Sequence, residues 1–169
     1  MKRAIVLALL IVFNFSLQST VFGFHNMNSI TPNLLLILTM SFGLMRGRKE
    51  GILVGFFSGF LVDCFFNSVL GPYMFLYMVF GYMNGFFHKN YMIEDVMLPF
   101  IVILIDDFAF NTIIYILFFF LNNRLQYSKY FTGVILPEML STALLTIILY
   151  KLYVVINKKL KQREEGNES

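Results

Sequence analysis

Residues 51–63 read GILVGFFSGFLVD, an apolar stretch in which glycine recurs at every fourth position. Gly51, Gly55 and Gly59 would lie along one face of an α-helix, and Asp63 continues the same series. Membrane helices gain little from the hydrophobic effect in lipid, and they use small residues to bring two backbones close together. The stretch therefore predicts a membrane helix that presents a glycine face to a neighbouring helix.

The same four-residue spacing occurs at Gly81 and Gly85, and again at Gly43 and Gly47. Two interpretations of these glycines stay open. They can pack the helices of one bundle against each other, or they can form a docking face for the single helix of a partner.

The composition of the whole chain is that of a membrane protein. Of its 169 residues, 58% are hydrophobic and 14% charged, against about 45–50% and about 25% in soluble domains. A fold of this size cannot hide so much apolar surface from water. The composition excludes a soluble enzyme, and the single cysteine, Cys64, excludes a disulfide-stapled domain. With only two histidines besides, a structural zinc site is not expected.

Six segments approach the length and apolarity of membrane-spanning helices. The fold class that they predict is an all-α integral membrane protein with a single six-helix bundle. A polar cytoplasmic tail is expected from residue 157 to residue 169. A re-entrant hairpin of the short second and third segments, which would leave four spanning helices, is the alternative. The predicted helices are Ala4–Phe22, Ile30–Met45, Gly51–Phe66, Val69–Phe87, Val96–Leu121 and Val134–Ile156.

The distribution of basic residues predicts the orientation. With six spanning helices, eleven of the thirteen Lys and Arg residues fall on one side of the membrane, and only Arg124 and Lys129 fall on the other. By the positive-inside rule both termini are cytoplasmic. The net charge of +3 is then a consequence of topology, and no nucleic-acid partner is expected.

Four acidic residues within the apolar segments, Asp63, Asp106, Asp107 and Glu138, need hydrogen-bond partners or a wet cavity. With nearby asparagines they predict a polar patch in the outer half of the bundle. It can be a hydrogen-bond network that fixes helix register, a ligand pocket or lipid-facing cavity, or a path for protons or ions. The predicted patch comprises Asn33, Asp63, Asn67, Asp106, Asp107, Asn111 and Glu138.

An intramembrane aspartyl protease would need two acids on facing helices, for example Asp63 with Asp106 or Asp107. The surrounding residues that lipoprotein signal peptidases carry are not found here. We therefore expect no catalytic residue, no cofactor and no metal.

Arg46, Arg48 and Lys49 form a basic turn between the second and third predicted helices. Basic residues at a membrane surface bind anionic lipid headgroups. The basic turn is either such an anchor in the lipid bilayer or a contact for a cytoplasmic partner.

Residues 32–82 also carry a family resemblance. Pro32-Asn33 stands at the start of the second predicted helix, the basic turn follows that helix, and the glycine series then ends in Asp63. This pattern resembles the bacterial rod shape-determining protein MreD family.

The resemblance implies a non-enzymatic membrane scaffold of the cell-elongation machinery, involved in cell shape and in positioning peptidoglycan synthesis. Its implied partner is a bitopic MreC-like protein and, indirectly, an MreB-like cytoskeleton and cell-wall synthases. The implied fold is similar to the substrate-binding subunits of energy-coupling-factor transporters. The alternative function is therefore a small-ligand (vitamin) binding subunit of such a transporter.

Overall fold

The computed structural model describes residues 2–20, 31–66, 70–90, 97–117 and 127–165. All regular structure in these ranges is helical, which confirms the prediction of an all-α chain. A 3-10 turn, Phe87–Asn90, continues α4, and α6 has three consecutive segments: an α-helical turn Tyr127–Tyr130, a π-helical turn Phe131–Ile135 and a long α-helix Leu136–Glu165. The other helices are α1 Lys2–Thr20, α2 Leu34–Arg46, α3 Arg48–Phe66, α4 Pro72–Phe86 and α5 Met97–Tyr115.

Helix α2 lies at the centre of the bundle. Every residue from Leu34 to Met45 is buried, and α2 contacts all five other helices. A helix that is apolar on every face has to be covered on every face. Its 13 residues make it about 20 Å long, shorter than the hydrocarbon core of about 30 Å.

Three helices of the described chain are long and apolar enough to cross a membrane: α1, α5 and α6. They lie around α2 together with α3 and α4. Helix α3 begins with the polar residues Arg48, Lys49 and Glu50, and α4 has only 15 residues. By length and composition alone, the six-helix bundle thus has three candidate spans.

Local sequence signals set the ends of α2. Asn33 is its N-cap, because the Asn33 Oδ1 atom accepts a hydrogen bond from the Leu36 N–H at 3.2 Å. The helix predicted from Ile30 therefore starts at Leu34. At the other end Gly47 has a φ of +94°, which glycine adopts without strain, so α3 can begin at the very next residue.

The C-terminal helix is longer than the sequence analysis expects. The sequence predicts that the last helix ends at Ile156, but α6 continues through the predicted tail to Glu165. Residues 157–165 read NKKLKQREE, which contains no Gly or Pro and consists mainly of good helix formers. Asn157 and Leu160 are also buried, so this end of α6 packs on the bundle. The residues after Ile156 are too polar for the membrane interior, but they remain helical.

Candidate functional site

The glycine face of α3, defined as Gly51, Gly55 and Gly59, lies against α4. A Cβ atom built on any of these glycines would come within 3.0 Å of backbone atoms of α4. Real Cβ atoms do not approach a backbone so closely, so only glycine allows this contact. In this structure α4 occupies the glycine face, and no partner helix can use it without displacing α4.

Gly81 and Gly85 complete the same interface from the side of α4. A Cβ on Gly81 would clash with the backbone of Gly51, and a Cβ on Gly85 would clash with the backbone of Arg48. Gly43 of α2 faces Gly81 as well, because a Cβ there would lie 2.8 Å from the Gly81 carbonyl oxygen. Three helices therefore meet at Gly81.

Asp63 ends the glycine series and caps the N-terminus of α4. Its Oδ2 atom accepts hydrogen bonds from the N–H groups of Gly71 and Met74, both at 2.9 Å, and its Oδ1 atom accepts one from the Tyr73 N–H at 3.3 Å. The first N–H groups of a helix have no partner within the helix, and a carboxylate there is favoured by the helix dipole. Asp63 thus ties the end of α3 to the start of α4. Asn67, also predicted in the patch, lies outside the described residues.

Four residues of the predicted patch meet in what we call the polar cluster: Asn33, Asp107, Asn111 and Glu138. The Glu138 carboxyl group contacts the side chains of Asn33 and Asn111. The Asn111 Nδ2 donates to the carbonyl oxygen of Asp107 at 3.1 Å and lies 3.5 Å from its Oδ1. These contacts bring α2, α5 and α6 together.

Two residues that the sequence analysis did not select, Tyr77 and Thr142, join the polar cluster. The Tyr77 hydroxyl donates to the Asn33 Oδ1 at 2.6 Å, and the Asn33 N–H donates to the Thr142 Oγ1 at 3.1 Å. Thr142 also faces Asp107, whose Oδ2 atom makes no hydrogen bond within the described part of the chain. With Tyr77 the cluster reaches α4 as well.

Asp106 lies outside the polar cluster, although it precedes Asp107 in sequence. Its Oδ2 atom accepts a hydrogen bond at 2.6 Å from the Nδ2 of Asn84, a buried residue of α4. The same Nδ2 atom lies 2.8 Å from the Met40 Sδ of α2 and donates to the Phe80 carbonyl oxygen at 2.9 Å. Consecutive residues of a helix point in different directions. Asp106 therefore contacts Asn84, whereas Asp107 contacts the polar cluster.

The basic turn is largely engaged in contacts within the chain. The Arg46 Nε donates to the Asn157 Oδ1 of α6. The Arg48 guanidinium carbon lies 3.5 Å from the centre of the Phe86 ring, a cation–π contact. Lys49 is exposed. Arg48 is exposed as well, although its guanidinium group lies over the Phe86 ring.

Sequence reasoning also missed two residues that hold α1 to the bundle. The Tyr153 hydroxyl donates to the Asn14 Oδ1 at 2.7 Å, and the Leu35 N–H donates to the Gln18 Oε1 at 3.2 Å. Asn14 and Gln18 are four residues apart in an otherwise apolar segment, so they lie on one helix face. That spacing is the signal that could have identified them.

The arrangement favours structural contacts over chemistry. Most buried polar side chains bond to one another or to nearby backbone. No three His, Cys, Asp or Glu side chains in the described ranges are placed to hold a metal ion.

Comparison with protein-family models matches residues 1–157 to the rod shape-determining protein MreD. Comparison with curated proteins and with solved structures gives no match. The expected likeness to energy-coupling-factor subunits thus stays a prediction. The family match covers α1 to α5 and most of α6. The chain therefore belongs to the MreD family, whose members are non-enzymatic membrane proteins of rod-shape determination.

Proposed function

We propose that this protein is a membrane scaffold of the bacterial cell-elongation machinery that helps to position peptidoglycan synthesis. Membership of the MreD family over residues 1–157 carries the proposal. The structure is consistent with this role, because the buried polar side chains join helices to each other. A scaffold needs a bundle of fixed geometry, and such contacts provide one.

We further propose that all six helices lie in the inner membrane with both termini in the cytoplasm. Two contacts support this orientation. Arg3 of α1 pairs with Glu50 of α3, and Arg46 of the basic turn bonds to Asn157 of α6. The start of α1, the basic turn and the polar end of α6 thus share one end of the bundle, as the positive-inside rule requires of a cytoplasmic face.

The proposed partner is the transmembrane segment of a bitopic MreC-like protein, and indirectly an MreB-like cytoskeleton and cell-wall synthases. Because α4 covers the glycine face, such a partner would contact outward-facing side chains instead. Exposed residues at the proposed cytoplasmic end, among them Arg48, Lys49 and Lys159, would face the cytoplasmic components.

For the polar cluster we propose a structural role. Its members come from α2, α4, α5 and α6, so a shift of any one of these helices along its axis would break at least one contact of the cluster. In lipid such breaks are costly, because no water replaces the lost partner. The polar cluster would thereby fix the register of four helices.

Gentle detergent extraction of a tagged copy from its own membranes tests the scaffold proposal. We expect a bitopic MreC-like protein and cell-wall synthases to co-purify, and depletion of the protein to turn rod-shaped cells round. A membrane protein of another family with the same tag is the control. Recovery of ATP-binding-cassette ATPases with a coupling membrane subunit, together with tight vitamin binding, would overturn the proposal in favour of a transport subunit.

A further inference from the structure

A lateral groove of about 500 Å³ separates α1 from α3. We call it the α1–α3 groove, and all of the side chains that line it are apolar. Leu7 and Ala8 line it from α1, and Leu53 and Phe57 line it from α3. Leu53 and Phe57 are each about half exposed, at 55% and 51%, so the groove opens sideways, in the direction of the lipid.

The α1–α3 groove is bounded at both ends. At one end Arg3 pairs with Glu50; Arg3 directly precedes Ala4, the first lining residue of α1, and Glu50 lies three residues before Leu53, the first lining residue of α3. At the other end the Phe15 ring packs on the rings of Phe65 and Phe66, with centroids 5.3 and 5.5 Å apart. These contacts join α1 to α3 above and below the groove.

The length of the groove matches one leaflet of the bilayer. Its lining on α1 runs from Ala4 to Val12, which is about 12 Å at the rise of an α-helix. Half of the hydrocarbon core is about 15 Å thick. A partner's transmembrane helix would need a groove of about 30 Å, and the Phe15 contacts close this one well before that length. One acyl chain of a single leaflet fits the groove.

The charge at the end of the groove near Arg3 and Glu50 favours an anionic headgroup. Lys49 is exposed and lies four and eight residues before Leu53 and Phe57, on the same face of α3. Glu50 is already paired with Arg3, so the two charges of that pair offset each other and the charge of Lys49 remains. The groove therefore ends in a net positive charge at the level where a lipid phosphate would lie.

We propose that the α1–α3 groove binds one acyl chain of an anionic phospholipid and that Lys49 holds its phosphate. The lipid comes from the leaflet on the side of the Arg3–Glu50 pair. Bound there, it fills the space between α1 and α3 and adds a further contact between α1 and Lys49 of the basic turn. The proposal does not depend on which protein the scaffold binds.

The absence of tryptophan from the chain makes a direct test possible. The variant Phe57→Trp places a single fluorophore in the groove, and Leu144→Trp places one on an outward face of α6 as the matched control. Each is reconstituted into phosphatidylcholine vesicles that contain a small fraction of brominated phosphatidylglycerol or brominated phosphatidylcholine. At position 57 we expect about fivefold preferential quenching by the anionic lipid, the amount that one basic residue supplies near the membrane surface. No preference is expected at position 144.

Two further variants separate the headgroup from the acyl chain. Lys49→Gln is expected to abolish the preference at position 57, and Ala8→Phe to reduce quenching there by both lipids because it fills the groove. Phe60→Trp repeats the measurement if Phe57→Trp does not fold. Equal preference at the groove and at position 144 would overturn the proposal, since it would indicate surrounding lipid only. A photoreactive residue at position 57 that crosslinks to a protein in native membranes would overturn it in favour of a partner helix.

Discussion

Replacement of Gly55 by alanine tests the close contact between α3 and α4. A methyl group at this position would lie within 3.0 Å of backbone atoms of Tyr77 and Met78. A flexible side chain could rotate away from it, but a helix backbone cannot, so α3 and α4 would have to separate. Gly133 offers a matched control, because a Cβ there meets nothing within 4 Å.

The expected free-energy changes have opposite signs at the two glycines. Overpacking a well-packed contact costs about 1–3 kcal/mol, and the upper part of that range applies when the neighbour is backbone. Replacing glycine by alanine in a helix returns up to about 1 kcal/mol. Gly55→Ala should therefore lower the free energy of unfolding by about 2 kcal/mol, and Gly133→Ala should raise it slightly. The effect of the same substitution on the free energy of unfolding then differs between the two sites by about 3 kcal/mol, which is roughly a hundredfold in the unfolding equilibrium.

The assay is reversible unfolding in mixed micelles with an increasing fraction of sodium dodecyl sulfate, followed by circular dichroism. The wild-type protein and both variants are compared at the same protein and lipid concentrations. If Gly55→Ala were as stable as the wild type, or if both variants shifted alike, the reasoning on the glycine face would be refuted.

Three further predictions use the same unfolding assay. Asp63→Ala should lower stability by about 1–3 kcal/mol because it leaves helix N–H groups without acceptors, and Asp63→Asn, which keeps one oxygen, should lower it less; equal stability of both and the wild type would contradict the cap. Asn84→Leu and Asp106→Leu should each lower the free energy of unfolding by about 1–3 kcal/mol, because each leaves the other polar side chain without its partner. The double variant should recover much of that stability, and strictly additive losses would argue against a direct contact. A chain that ends after Ile156 should be less stable than one that ends after Glu165, and equal stability would mean that the last turns of α6 do not pack.

Patterns within one helix could be predicted from the sequence. The spacing of Gly51, Gly55 and Gly59 predicts a single close-packed face, and that face is the one that α4 covers. The all-helical fold and the family resemblance follow from composition and from local motifs in the same way. Each of these inferences needs only the period of the helix and the chemistry of the residue.

Contacts between helices could not be predicted, because they depend on how each helix is rotated. The sequence predicts Asp106 and Asp107 in one patch, yet Asp106 bonds to Asn84 and Asp107 joins the polar cluster. Asp63 was expected there too, but its role depends on where α4 begins, and that position is set by Pro72 after an intervening turn. Asn84 bonds to Asp106, and Thr142 bonds to Asn33. Neither residue belongs to a sequence pattern that would have predicted these contacts.

The central helix illustrates why polar contacts decide this fold. In lipid an apolar side chain gains little by leaving the solvent for the protein, so the buried leucines of α2 do not by themselves fix its rotation or depth. The rotation and depth of α2 are fixed at its two ends. Asn33 bonds to Tyr77 and Thr142 at one end, and Arg46 bonds to Asn157 at the other. Because both ends bond to α6, at positions fifteen residues apart, and one end also bonds to α4, α2 can neither slide nor turn without breaking a hydrogen bond that the membrane would not replace. A short helix without a polar face is thereby held in place, as the proposed scaffold role requires.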